Sequence, residues 1–350
     1  MSRKRTTAAI LVGLLVVFLV VIPVALRDAP YMINVLINSA MLSVIGAGVW
    51  VTFAIGRINI SQGAFAMIGG YVTAILSTRY GVSFWLCLPL AGLIAAAIGV
   101  LVGLPILRLR GVYFSMISLS LTEAIRLAFL NGGQFTHGAS GIVNVPRPDA
   151  LTLFGVTLIP AFDGASPLPY YYLAIALLIL TLLTLWRIST SRLGWTFRSM
   201  RMNEELAASV GVNVAKYRVI AFGICCLIGG VGGAFFAAFH QNIYPATYTV
   251  SDSMSFMVFC FLGGLDYIAG PVVGAFLLTI SFEVLQPLQQ YQPLIYAMLM
   301  IGFMLWLPNG ILSLTSWGSE AVNRAPETPL ASATSPAAPG TPSAAPKGEA

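Results

Sequence analysis

Charge is scarce in this 350-residue sequence. Only 9% of residues are charged and 58% are hydrophobic, against about 25% charged in soluble domains. A soluble fold this apolar could not cover itself with polar surface, so a bilayer must solvate much of the chain. Lysine is nearly absent, present only as Lys4, Lys216 and Lys347. None stands in a glycine-rich turn and nothing matches G-x-x-x-x-G-K-[ST], which excludes ATP binding by that device. The cysteines Cys87, Cys225, Cys226 and Cys260 lie in apolar runs without pairing or zinc spacing, and are read as small hydrophobes. His137 and His240 have no Cys, Asp or Glu at metal spacing. No metal site, cofactor or catalytic constellation is expected, and the chain is not expected to be an enzyme.

Apolar runs are what the sequence has in abundance. Bounded by charges, prolines and polar clusters, they predict an all-α, polytopic transmembrane helix bundle of about ten spans, at 8–26, 31–55, 63–78, 84–104, 112–130, 168–186, 218–240, 250–265, 268–286 and 294–308. The third, eighth and tenth are short. If they are tilted, re-entrant or broken, the count falls to eight or nine. The basic start Arg3-Lys4-Arg5 ahead of an apolar run resembles a signal peptide, but the run is too long and its end fits a cleavage site poorly, so an uncleaved first span is expected.

Orientation has an independent check. With the N-terminus in the cytoplasm, alternating spans also put 56–62, 105–111, 187–217 and the C-terminal tail inside. Of the 18 Lys and Arg residues, 14 then fall on the inner side, as the positive-inside rule requires. Both termini are therefore expected to be cytoplasmic. The net charge of +6 belongs to this asymmetry and indicates no nucleic-acid partner.

Three regions follow: a stub and first span over 1–30, a membrane domain over 31–315, and a tail over 316–350. The tail's Ala, Pro, Thr and Ser cannot build a core and are expected to be disordered. The outer connection 131–167, rich in Gly and Pro, is expected to be an irregular cap. The inner connection 187–217 is basic and holds a short helix.

Within the spans, Ala66 and Gly70, Gly99 and Gly103, Gly229 and Gly233, and Gly270 and Gly274 stand four apart, which lets neighbouring helix backbones approach closely. Such packing either simply fixes the helices or also lets them shift during transport. Glu123 and Arg126 share a helix face in the fifth span. They form either a fixed structural pair or part of a polar cavity. Asn59-Ile60-Ser61-Gln62-Gly63 breaks the apolar pattern, as a loop or as a broken-helix segment lining a pathway. Asn59, Ser61, Gln62, Glu123 and Arg126 are thus the candidate pathway residues. The stretch from Arg198 to Gly211 joins a basic strip to a small-residue helix closed by glycine. It suits docking into a groove of another protein, the alternative being a helix resting on anionic membrane lipid.

From Glu205 through Ala207 to Gly211 the chain resembles the E-A-A-x-x-x-G coupling loop of ABC importer permeases. Leu206 departs at the second position and the downstream I-x-L-P is missing, as is usual in branched-chain amino acid (LivM-type) permeases. The chain is similar to that family over about 31–315. Matching stretches include Asn59 to Phe65, Gly69-Gly70-Tyr71, Leu107 to Phe114, Glu123 to Leu127, Gly138 to Ile142, Pro146-Arg147-Pro148, Gly263-Gly264 and Gly270-Pro271. Gln62 and Asp266 depart from the commoner residues at their places.

The resemblance implies a permease subunit of the bacterial inner membrane working by alternating access. Its partners would be a second homologous permease, two ATPase subunits and an extracytoplasmic substrate-binding protein. Glu205, Ala207, Ala208 and Gly211 would form the ATPase-coupling loop. The expected solutes are branched-chain or other aliphatic amino acids, with urea or short amides as the alternative. A secondary transporter or channel without ATPases stands as a different class.

Overall fold

The structure is a computed structural model. It describes residues 29–153, 156–159, 162, 166–285, 294, 297, 298, 301, 302 and 310–313, in one compact unit that ends at Ser313. The expected first span, most of the tenth and the tail lie outside the described residues.

The long helices are α1 (Pro30–Phe53), α2 (Gln62–Tyr80), α3 (Phe84–Ile106), α4 (Val112–Leu130), α5 (Leu168–Thr190) and α8 (Val214–His240). Between the last two stand the short α6 (Arg192–Met202) and α7 (Glu204–Ser209), and after α8 come α9 (Val250–Gly263) and α10 (Gly270–Val284). Eight of the expected spans thus appear as helices, with ends shifted by a few residues. Five of these helices, α1, α3, α4, α5 and α8, are long and apolar enough to cross a membrane.

Helix α8 is the hub, packed on α1, α2 and α3. Its run Gly229-Gly230-Val231-Gly232-Gly233 explains why. A Cβ on Gly233 would lie 1.8 Å from the carbonyl oxygen of Ala66 in α2, one on Gly230 would lie 2.6 Å from Ala95 Cβ in α3, and one on Gly232 would lie 2.4 Å from Ile45 in α1. Side-chain-free positions on successive faces therefore let three helices reach the α8 backbone. Each glycine costs about 1 kcal/mol of helix propensity, offset here by dispersion contacts that lipid cannot provide as densely. Gly263 and Gly274 bring α9 and α10 together in the same way.

The outer connection departs from an irregular cap. Strand β1 (Ile142–Val143) pairs antiparallel with β4 (Asn242–Ile243), which follows α8, while β2 (Leu151–Leu153) and β3 (Val156–Ile159) pair with each other. Backbone groups between helices still need partners, and these two-stranded ladders supply them without a long strand pattern that sequence could reveal. Gly141, at φ +62°, has Ile243's carbonyl oxygen where a side chain would stand.

Candidate functional site: a buried polar seam and a short helix at the basic end

Between α1 and α2 the chain does not turn at the end of the bundle. Residues 57–61 run without regular structure back among the helices, and α2 begins beside Ile45 of α1, eight residues or about 12 Å of helix above Phe53. Three side chains of α4 satisfy this segment's backbone. The Ser115 hydroxyl donates to Ile58 O at 3.0 Å, Ile60 N–H donates to Ser118 Oγ at 3.1 Å, and the Thr122 hydroxyl donates to Ile60 O at 3.0 Å. This is how irregular backbone survives inside a membrane bundle: neighbouring side chains take up backbone groups that no ladder satisfies.

Asn59, Ser61 and Gln62 are fully buried here. The Asn59 Oδ1 accepts from Ser61 Oγ at 2.6 Å and from Ser61 N–H at 3.0 Å. Gln62 Nε2 donates to the carbonyl oxygens of Ile45 (2.9 Å) and Cys225 (3.2 Å). The Cys225 thiol donates to Gln62 Oε1 at 2.9 Å and accepts from Asn59 Nδ2 at 3.3 Å. All four cysteines are free and buried, but Cys225 is a polar partner as well as a small apolar one. Nothing in its apolar sequence context marks that role. Helix α9 also starts here, its Ser253 Oγ accepting from Gly63 N–H at 3.1 Å. Two helix N-termini and two helix interiors therefore meet at one hydrogen-bonded seam.

The larger cavities lie elsewhere. One of about 500 Å³ sits between α1, α8, α9 and α10, with Asn38, His240, Tyr248, Asp252, Ser255 and Glu283 on its walls. Another, of about 730 Å³, lies at the other end against Trp50, Leu185, Phe197, Arg198, Arg201 and Asp266.

Glu123 and Arg126 form a two-pronged ion pair on α4, Nε to Oε2 at 2.9 Å and Nη2 to Oε1 at 2.6 Å. Helix α4 buries only Phe114, Ser118 and Thr122, one stripe at i, i+4, i+8. The ion pair sits beside that stripe, with 39% and 24% of the two side chains exposed. Glu123→Gln or Arg126→Gln is expected to lower folded protein roughly threefold, and exchanging the two residues to recover part of it, because an unpaired intramembrane charge is costly. Gel filtration of detergent extracts measures this, and wild-type yields from both single variants would refute it.

At the basic end, α6 and α7 form a bent pair. Asn203 caps α7, its Oδ1 accepting from Leu206 N–H at 3.0 Å. Gly211, at φ +91°, closes it in the left-handed region that favours glycine. Ala207 is buried, only 3% exposed, so it holds α7 to the bundle. Glu205 points outward with 83% of its side chain exposed, meeting Arg110 at 3.4 Å, and Ala208 is exposed. Sequence reasoning passed over Met202, Leu206 and Val210, which are 88%, 63% and 74% exposed. The signal was available: apolar residues four apart in an otherwise polar strip.

Glu204 was also passed over. It reaches inward to Arg57, whose Nη2 is 3.3 Å from Oε2, and to Arg218 at the foot of α8. Both arginines are buried, and each also donates to the connection between α3 and α4, Arg57 to Leu109 O and Arg218 to Leu107 O (3.1 Å). Removing one member of such a buried ion pair costs roughly 3–5 kcal/mol.

A bundle of apolar helices with a polar interior seam is a multi-pass membrane protein. Residues 31–307 match the family described as the permease component of the branched-chain amino acid transport system, and the chain belongs to that family. It is 32% identical over 290 residues to the high-affinity branched-chain amino acid transport system permease LivM of Salmonella typhimurium, covering 78% of this chain and 68% of LivM. The LivM of Escherichia coli K12 gives the same figures. More distant is the autoinducer 2 import permease LsrC of Klebsiella pneumoniae, 26% identical over 75% of this chain and 73% of the relative. No solved structure matches.

Proposed function

We propose that the chain is one of two permease subunits of an ATP-binding-cassette importer in the bacterial inner membrane, driven by two ATPase subunits and fed by an external binding protein. It crosses the membrane ten times with both termini inside. The exposed face of α7, with Glu205, Leu206, Ala208 and, just past its end, Val210, docks in the ATPase, while Ala207 fixes the helix to the bundle and Gly211 ends it. The ion-paired face of α4 turns to the second permease, where intramembrane charge escapes lipid. The seam of Asn59, Ser61 and Gln62 seals the middle of the bundle between access states. The solute is a branched-chain or other aliphatic amino acid, in keeping with the LivM relatives.

The observation that carries this assignment is α7: a capped helix held by a buried alanine and presenting apolar side chains outward at the basic end. Purification from native membranes should bring down an ATPase subunit, and its absence would sink the proposal. Topology is tested with single cysteines at Ser140 and Ser199, both exposed and at opposite ends, after replacing the native cysteines. The first should react with an impermeant maleimide on intact cells, the second only after permeabilisation. Equal labelling of both on intact cells would refute the span assignment.

A further inference from the structure

The Glu204 side chain ties the docking helix to the two chain segments that lead into the polar seam. Glu204 heads α7, yet only 24% of its side chain is exposed, whereas that of its neighbour Glu205 is 83% exposed. Consecutive acids thus face opposite ways, one to the partner side and one into the bundle. The inward carboxylate is shared between Arg57 and Arg218, whose side chains are 5% and 9% exposed. Arg57 lies five residues before Gln62 in the irregular segment and Arg218 lies in the first turns of α8, seven residues before Cys225. Each arginine therefore stands at the root of one arm, and the arms meet again where Gln62 bonds to Cys225. Only four residues separate Arg57 from Gln62, so the clamp and the seam are joined by one short piece of backbone.

We infer that Glu204 is the positioning residue through which movement of the docking helix is transmitted to the seam, by pulling Arg57 and Arg218 together. Two guanidinium groups this close repel each other, and one buried carboxylate holds them. Lifting α7 draws Arg57 with it and with Arg57 the segment 58–62, whose hydrogen bonds to α4 and α8 are the contacts that close the middle of the bundle. The two halves of the clamp also fix the connection between α3 and α4 through Leu107 and Leu109, so α4 moves in concert. Glu205, which carries the family resemblance, reaches the same connection at its surface, through Arg110 at 3.4 Å.

The inference rests on the importer assignment and is separable from it. The complex is purified with its ATPases, reconstituted in vesicles, and scored for leucine uptake per ATP hydrolysed. Glu204→Gln is expected to keep the ATPases bound and ATP hydrolysis within about twofold of wild type, while uptake per ATP falls about tenfold or more. Glu204→Asp should restore part of the ratio. Because Glu204→Gln leaves two buried cations uncompensated, the double variant Glu204→Gln with Arg218→Gln is measured beside it. This pair keeps the native net charge of the clamp but not the link, and its uptake per ATP should stay low. An unchanged ratio in either variant would overturn the inference, as would failure of both to accumulate, which would make the clamp a folding tie alone. Failure of the wild-type protein to retain an ATPase would instead overturn the importer assignment.

Discussion

Alanine at Gly233 is expected to leave little folded protein in the membrane. Its Cβ would stand 1.8 Å from the carbonyl oxygen of Ala66 and 2.5 Å from the carbonyl carbon, so α2 and α8 would have to part. Neither helix can move freely, since α8 is also packed on α1 and α3. Overpacking against backbone costs about 3 kcal/mol, enough to lower abundance about fivefold or more. Gly46→Ala is the control, because the nearest atoms to its Cβ would be at 3.6 Å, an ordinary contact. Fluorescence-detected gel filtration of detergent extracts should show a strong monodisperse peak for Gly46→Ala and a small or aggregated one for Gly233→Ala. Equal peaks would mean that the two helices cross less closely than described.

Leu206→Glu is expected to abolish uptake while leaving the subunit folded. Leu206 is 63% exposed and Val210 74%, so the substitution removes no core contact. An apolar anchor buried at an interface is worth about 2 kcal/mol or more, some thirtyfold in affinity, and an inserted charge adds a desolvation cost. Co-purified ATPase should fall accordingly, with an unchanged gel-filtration profile for the permease. Normal ATPase recovery would place the docking surface elsewhere.

Much of this fold was legible because a bilayer makes helices announce themselves as apolar runs. The ends at Val112 and Leu130 of α4, and the start of α3 at Phe84, were read directly from the sequence. The small-residue pairs foretold the close crossings, since spacing by four alone puts Ala66 with Gly70 and Gly229 with Gly233 on shared faces. The seam was legible only as an interruption. That Asn59 and Gln62 would converge on Cys225, more than 160 residues away, depends on tertiary packing that no local pattern encodes. Glu204 and Glu205 show the same limit. As adjacent acids at the head of a helix they are equivalent in sequence, and only the position of two distant arginines separates their roles. The ladders of the 131–167 connection escaped because strands of two to four residues have too little period to detect.

The buried, polar start of α2 has a consequence for how the protein is made. Nearly every residue from Gln62 to Ala74 is enclosed by other helices, and α8, which does most of the enclosing, begins 134 residues after α2 ends. At a synthesis rate of about 5–20 residues per second, a nascent α2 waits roughly 7–27 seconds for the surface it will pack on. During that interval Asn59 and Gln62 lack Cys225, and the Gly63 N–H lacks Ser253. A ribosome-bound chain halted before residue 214 should therefore hold α2 loosely, beside the translocon or an insertion chaperone, rather than as a settled span in lipid.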